Sequence, residues 1–494
     1  MALRLKPKPG VASAAHMNQR STAAAFVWSF AERIGTQLLR SIFAIILARL
    51  LLPKDFGLVA ILAVFVGVAE VIITSGFGTV LIREPRLTHS DECSIFYFNV
   101  LVGATLTAIL FCASPYVAEF YRSPQLTAIG RITSFNLLIT STCVVQWALL
   151  NRRLDFLAQF KVSIISVASS GILAVVMAAR GFGVWSIVVQ QLCSNTLNAL
   201  ILWRMAKWYP SERFSFRSLQ KMFGFSSSFI AINLLDVIAG NISFAIIGKL
   251  FTATEAGLYS RAKQIEELPV LTTYATASRP SLSLFARSQD DDAILAQRFR
   301  SVLAHLALIN FPVVTGIAVV AKPLVTTLLT AKWGSCVPYL RLLCGVGMFF
   351  PLQRINLSLI IAKGQSALFV RLELFRTIVA VAFISATGFF GVETMIVGQV
   401  IAMAITWYMN SMWIGRTLDY PFRKQLRDVS PYALGSCIMS VAMISLARLD
   451  FATQIGLLCA QVALGACIYV TFCWAFNLSA FEKVKKAAVA EILR

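Results

Sequence analysis

Charge is scarce in this sequence, and acidic charge is scarcest. Charged residues make up 14% of the 494, with 44 lysines and arginines against 23 aspartates and glutamates. A soluble chain carries about 25% charged residues. With 58% hydrophobic residues and a mean hydropathy of +0.75, the shortage excludes an ordinary soluble domain and describes a polytopic membrane protein. Histidine is nearly missing, at 3 residues, and none of the 10 cysteines forms a Cys-x-x-Cys pair. Most of the cysteines lie inside apolar runs, where Cys behaves as a small hydrophobe. A metal site and a disulfide framework are therefore not expected. A Gly-rich phosphate loop and a Ser/His/Asp arrangement are also lacking, so no catalytic residue and no cofactor is assigned. Large polar loops are absent as well; the longest are residues 207–221 and the segment around 278–297. The triplet Asp290-Asp291-Asp292 in the latter has no phosphate cradle beside it and reads as a solvated helix start.

What is present begins with residues 23–60, AAAFVWSFAERIGTQLLRSIFAIILARLLLPKDFGLVA. The run is apolar and long enough to span a bilayer. At about 100° per residue, Ser29, Arg33, Thr36 and Arg40 share one stripe, while Phe30, Ile34, Leu38 and Ile42 point elsewhere. A charge at mid-bilayer costs about 2.5–3.5 kcal/mol on insertion scales, so such a stripe is expected to face a bundle interior or a wet cavity.

The end of this run has an echo. ARLLLPKDFGLV at residues 48–59 matches GKLFTATEAGLY at 248–259, an ungapped offset of 200 residues. Arg49 pairs with Lys249, Asp55 with Glu255, and Gly57-Leu58 with Gly257-Leu258. Weaker echoes are Pro115 with Pro323, Arg131 with Arg341, and Phe182-Gly183 with Phe390-Gly391. Two similar halves follow, each opening on an equivalent helix pair. Apolar runs predict fourteen helices, at 22–50, 57–82, 94–118, 126–150, 157–179, 183–205, 223–248, 256–284, 299–321, 338–361, 367–388, 391–415, 430–448 and 453–477. The expected organisation is a basic tail (1–21), an N-lobe (22–206), an amphipathic linker on the membrane surface (207–221), a C-lobe (222–418), and two appended helices with a basic tail (419–494).

With both termini in the cytoplasm, this scheme leaves only Lys54, Arg122, Arg180, Lys249, Lys322, Lys332 and Arg448 on the outer side. The far more numerous other loop cations fall inside, as the positive-inside rule requires. Residues 1–20 are basic and polar with no cleavage signal after them, so the first helix is expected to act as an uncleaved anchor.

In order and spacing, several motifs resemble the polysaccharide transporter family of the multidrug/oligosaccharidyl-lipid/polysaccharide exporter superfamily, closest to its Wzx-type flippases for colanic acid and exopolysaccharides. They are ARLLLPKDFGLVA (48–60), GFGTVLIR (76–83), ALLNRRLDF (148–156), GFGVWSIVVQQL (181–192), IIGKLFTATEAGLYSRAKQ (246–264) and AKWGSCVPYLRLL (331–343). The resemblance implies an all-α, MATE-like fold: two six-helix pseudo-symmetric lobes around a central cavity, plus two extra C-terminal helices. It implies alternating access for an anionic polyprenyl-pyrophosphate-linked oligosaccharide across a bacterial inner membrane, with a polymerase or chain-length regulator as partner and no nucleic acid. Similar proteins often carry an Asp near the position of Ser243, which departs from the pattern and puts an ion-coupling acid there in doubt.

Against that background Arg33 and Arg40 read either as a cavity wall for pyrophosphate or as members of internal ion pairs with Glu32, Glu70 or Asp236. Arg261 shares a face with Gln264 and is the expected ligand contact of the second half, whereas Lys263 pairs with Glu267 four residues on and is expected to be structural. Arg131 and Arg341 read as ligand contacts or as snorkelling side chains, and Lys161 as a snorkelling one. Asp236, Glu70 and Glu266 are candidate protonatable groups or satisfied structural acids. Arg354, Glu373 and Arg376 read as a salt-bridge network inside a lobe, and His305 as a hydrogen-bonded core residue. The competing functions are a cation-coupled multidrug exporter, which would need acids and aromatics, and a membrane glycosyltransferase or polymerase, which would need a sizeable outer loop.

Overall fold

The computed structural model describes residues 11–74, 81, 88–449, 451 and 453–492. The first ten residues of the basic tail and the motif at 76–83, Leu81 apart, lie outside them. Among the described residues the chain is helical without strands. In order the helices are α1 (Val11–Leu50), α2 (Pro53–Thr74), α3 (His89–Phe120), α4 (Gln125–Ser141), α5 (Val144–Arg152), α6 (Phe156–Ala179), α7 (Val184–Ala206) and α8 (Phe216–Leu250). Then come α9 (Ala253–Ala286), α10 (Asp292–Leu329), a 3-10 turn (Ala331–Cys336), α11 (Val337–Ala362), α12 (Ser366–Gly388), α13 (Val392–Leu418), α14 (Phe422–Leu446), α15 (Gln454–Ala475) and α16 (Ser479–Ile492). Among the described residues nine stretches are long and apolar enough to cross a bilayer, or ten if α4 and α5, bent by 40°, form one span. The other expected spans, α1, α7, α9 and α12, are helical but more polar. The chain is a multi-pass membrane protein.

One expectation about loops is corrected. The segment around 278–297 is mostly helix, because α9 runs on to Ala286 and α10 starts at Asp292. Asp291 ends the gap by accepting hydrogen bonds from the amides of Ala293 (2.9 Å) and Ile294 (3.0 Å), satisfying donors that a helix start leaves open. The described part of the linker is mostly exposed and is fastened to the start of α3. Trp208 is buried, meets Phe96 edge-to-face at 5.6 Å, and donates its indole N–H to Glu92 at 2.8 Å. The amide of Ser215 donates to Ser94 Oγ at 2.9 Å, and α8 starts one residue later. A buried Trp needs a partner for its N–H, and the start of α3 supplies it.

The chain forms two compact units, Met1–Leu51 with Leu62–Val237, and Leu52–Ile61 with Ile238–Arg494. In the first, small residues let helices approach closely, as they do in membrane bundles. Gly171 of α6 takes the ring of Phe43 from α1, and Gly103 of α3 lies against Ser141 of α4. In the second, one apolar core joins α10, α11, α13, α14, α15 and α16 through Phe299, Leu352, Trp407, Tyr432, Tyr469 and Ala480. The two appended helices are therefore built into this unit rather than set beside it. The Tyr469 hydroxyl donates to Leu308 O at 3.0 Å, and Ser411 Oγ donates to Gln425 Oε1 at 2.9 Å, both buried.

The echo survives in detail. α1 ends at Leu50 and α2 starts at Pro53, while α8 ends at Leu250 and α9 starts at Ala253. Gly183 and Gly391 each precede the valine that starts α7 or α13, and both have positive φ (56° and 129°), a backbone region suited to glycine. The two echo segments also meet. The first turns of α2 belong to the second unit, where Gly57 faces the carbonyl of Ala253 and Gly257 faces the carbonyl of Pro53. A methyl group on either glycine would overlap that backbone oxygen.

Overpacking such a contact costs about 1–3 kcal/mol. We expect Gly57→Ala and Gly257→Ala each to lower the thermal unfolding midpoint of the purified protein by several degrees. Gly240→Ala, where an added methyl meets nothing within 4 Å, is expected to leave it nearly unchanged. Equal midpoints for all three variants would refute the close crossing.

Candidate functional site

The glycine crossing sets Phe56 into the second unit. Its ring is 4% exposed and meets the fully buried ring of Trp333 edge-on at 5.5 Å. On the other side of Phe56 lies Arg261 from α9, with its guanidinium carbon 4.0 Å from the ring centroid. This is cation–π geometry, most favourable where water is excluded. Arg261 Nη1 donates to Gln264 Oε1 at 2.6 Å, confirming the shared face, while its Nε is buried with no acceptor. Arg261 makes no ion pair among the described residues. It borders a cavity of about 350 Å³ lined also by Asn241, Phe244, Ser260, Lys263, Gln264 and the acid Glu267.

Lys263 behaves differently. It donates to the carbonyl of Gly240, lies 3.6 Å from Glu267, and sits 5.1 Å from the centroid of the Phe244 ring. Its charge is thus locally compensated. One turn on, Glu266 is buried, and its carboxylate occupies the space left by Gly347 of α11. Asn310 of α10 donates to the carbonyl of that glycine at 3.0 Å.

At Ser243, where similar proteins often carry an Asp, the structure holds a neutral relay. Tyr259 donates to Gln399 Oε1 at 3.1 Å, and Gln399 Nε2 donates to Ser243 Oγ at 3.1 Å. Every member is uncharged, so this place carries no titrating acid.

The first unit presents its cations openly. Arg33 and Arg40 are exposed on α1, and among the described residues neither makes an ion pair. Glu32, offered as a partner, instead accepts a hydrogen bond from Ser163 Oγ at 3.0 Å. The stripe is narrower than the helical wheel implied. Thr36 is buried and turns its hydroxyl back to Glu32 O at 2.5 Å, because this side of α1 packs on α6. Glu70 is half-buried on α2 and Asp236 is exposed on α8.

Arg131 is exposed, with its guanidinium 5.0 Å from the centroid of Phe111 and Phe135 on the same exposed face. That is a snorkelling environment. Arg341 is exposed on the first turns of α11, and Lys161 is exposed on α6. Arg354 and Arg376 both grip Glu373, at 3.0 and 2.8 Å, in the expected network inside the second unit. His305 Nδ1 lies 2.5 Å from Ser301 O.

Sequence reasoning missed Phe56 and Trp333 as the platform under Arg261. The available signal was an aromatic residue directly before the repeated glycine, where the second copy has Ala256.

Over 303 residues the chain is 27% identical to the teichuronic acid biosynthesis protein TuaB of Bacillus subtilis (strain 168), covering 61% of this chain and 62% of that protein's length. It is 23% identical to the lipopolysaccharide biosynthesis protein WzxC of Escherichia coli (strain K12), over 67% of this chain and 68% of that one. Among solved structures, the lipid II flippase MurJ in an inward closed conformation shares the fold, with a TM-score of 0.75 and 12% identity over 91% of this chain and 98% of that chain. Residues 46–338 match the polysaccharide biosynthesis protein family, and the chain belongs to it.

Proposed function

We propose that this protein flips an anionic, polyprenyl-pyrophosphate-linked oligosaccharide across the bacterial inner membrane by alternating access, in lipopolysaccharide or exopolysaccharide synthesis. The observation that carries the reading is Arg261, a cavity guanidinium whose Nε meets no acceptor and which makes no ion pair among the described residues, while Glu267 in the same lining is paired with Lys263. Diphosphate oxygens are natural acceptors for such a group. Arg33 and Arg40, which make no ion pair among the described residues, and the exposed Arg131 and Arg341 are the further candidate contacts. The names of TuaB and WzxC and the MurJ title point to the same substrate class.

In this reading the chain crosses the membrane fourteen times with both termini cytoplasmic, and residues 22–206 and 222–418 form the two moving lobes. Lys54, Lys249 and Lys332 then lie on the outer side. Asp236, Glu70 and Glu266 are the candidate proton carriers, with Glu266 nearest to the Lys263 charge. A polymerase or chain-length regulator is the natural partner. A drug exporter for cations is disfavoured by the neutral Ser243–Gln399–Tyr259 relay and the basic lining. A glycosyltransferase is disfavoured by the short connections between described helices.

Three outcomes test this. Arg261→Ala, Arg33→Ala and Arg40→Ala are expected to reduce export at least about tenfold at normal protein abundance, since a hydrogen bond to a charged group is worth about 1.5–3 kcal/mol. Arg180→Ala, at the exposed end of α6, is expected to have little effect. Loss of the three proteins from the membrane would assign these arginines to stability instead.

Reporter fusions are expected to signal cytoplasm after Lys221 and Lys486 and the outer side after Lys332; an inner signal after Lys332 would overturn the topology. Lys54 and Thr254 are both exposed beside the glycine crossing. Spin labels there are expected to show a short and a long distance population, rebalanced by a lipid-linked pyrophosphate sugar. One distance, insensitive to pH and ligand, would rule out alternating access.

A further inference from the structure

At one end of the second unit the starts of α10, α14 and α16 are tied together. Arg300 of α10 binds Asp428 of α14 at 2.6 Å, and Asp428 also accepts from the Tyr420 hydroxyl at 2.5 Å. Lys483 of α16 donates to Ser301 Oγ of α10 at 2.9 Å, and the Ala480 amide donates to the Tyr432 hydroxyl of α14 at 3.3 Å. α16 has 14 residues, too few to span a bilayer. It buries Ala480 and tucks Phe481 against the core, leaving Lys483, Val484, Lys485 and Lys486 exposed.

The approach to α16 marks a membrane interface. Trp474 and Phe476, 60% and 65% exposed, end α15, and exposed aromatics of this kind sit at headgroup level. Asn477, with a φ of 47°, then turns the chain into α16.

The charge balance at this end is one-sided. Asp428 is taken by Arg300, Asp419 by Lys424 at 3.0 Å, and Glu482 lies 3.9 Å from Lys485. Among the described residues Arg416, Arg423, Arg427, Lys483 and Lys486 are exposed with no carboxylate in ion-pair range. Exposed Leu426 and Val484 interrupt the cations with apolar side chains. A short amphipathic helix, cations without counter-charges and a neighbouring aromatic rim together match the surface of an anionic bilayer.

We propose that the face formed by the start of α14 and by α16 docks onto anionic phospholipid headgroups of the adjoining leaflet. Docking there anchors the second unit against the membrane surface through groups separate from the Arg261 cavity.

The test uses the purified full-length protein in bilayers of zwitterionic lipid with increasing phosphatidylglycerol. The wild-type unfolding midpoint is expected to rise with the anionic fraction, because a ligand that binds only the folded state stabilises it, and to fall back as salt is added. An R416Q/R423Q/R427Q/K486Q variant is expected to lose most of that rise and to bind phosphatidylglycerol roughly tenfold more weakly or worse. Its midpoint in purely zwitterionic lipid is expected to match the wild type. Arg261→Gln is expected to keep the full response, separating this surface from the cargo site.

A quadruple variant that responds like the wild type would overturn the proposal. So would a wild-type rise reproduced by soluble glycerol phosphate, which would indicate a small-anion site. Should the quadruple variant fail to fold, R423Q/R427Q, whose side chains are solvent-facing, is the second readout, and an undiminished response from it would likewise overturn the proposal.

Discussion

The contact on which the second unit depends is the backbone crossing of α2 and α9 at Gly57 and Gly257. Each glycine leaves room for a carbonyl from the other helix, so two chain segments 200 residues apart in sequence touch without side chains between them. This closeness has a chemical consequence one residue away. Phe56 can reach Trp333 only because the start of α2 is drawn into the unit, and Arg261 can rest on Phe56 only because α9 passes at the same point. Glycine pairs of this kind replace hydrophobic burial as the adhesive between membrane helices.

Around that crossing, charge is sorted by whether it has a partner. Glu373 holds Arg354 and Arg376, and Lys263 is satisfied by Glu267 and a backbone carbonyl. Such groupings avoid the large penalty of an uncompensated buried charge. Arg261 is the exception, stabilised by a ring and one amide oxygen rather than by an acid. A ring and an amide hold a guanidinium in place without neutralising it. The relay from Tyr259 through Gln399 to Ser243 satisfies polarity with no charge at all.

Much of this was readable from the sequence. The shortage of charge and the apolar runs announced a polytopic helical protein, and the helix breaks at Leu50 and Leu250 fall where the repeat placed them. The Arg261–Gln264 face, the Lys263–Glu267 pair and the Glu373 network were legible because each depends on helical spacing within one or two neighbouring segments. Helix lengths were less so. α10 and α14 start in polar turns that hydropathy alone assigns to loops, and Asp291 caps the first of them.

Other features were decided only by packing. Thr36 lies on the same wheel stripe as Arg33 and Arg40, yet α6 buries it and leaves the arginines exposed. The linker is held by Trp208 against Glu92, more than a hundred residues earlier. The appended helices enter the core through Tyr469 and Gln425, and Phe56 becomes the platform for Arg261. The sequence by itself determined the helical, membrane-spanning character, the repeat and the cationic bias, because these follow from periodicity and composition along a single segment. Which face each helix buries, and which distant aromatic ring meets which cation, was left to the tertiary structure, because close packing joins residues whose separation in the chain carries no local signal.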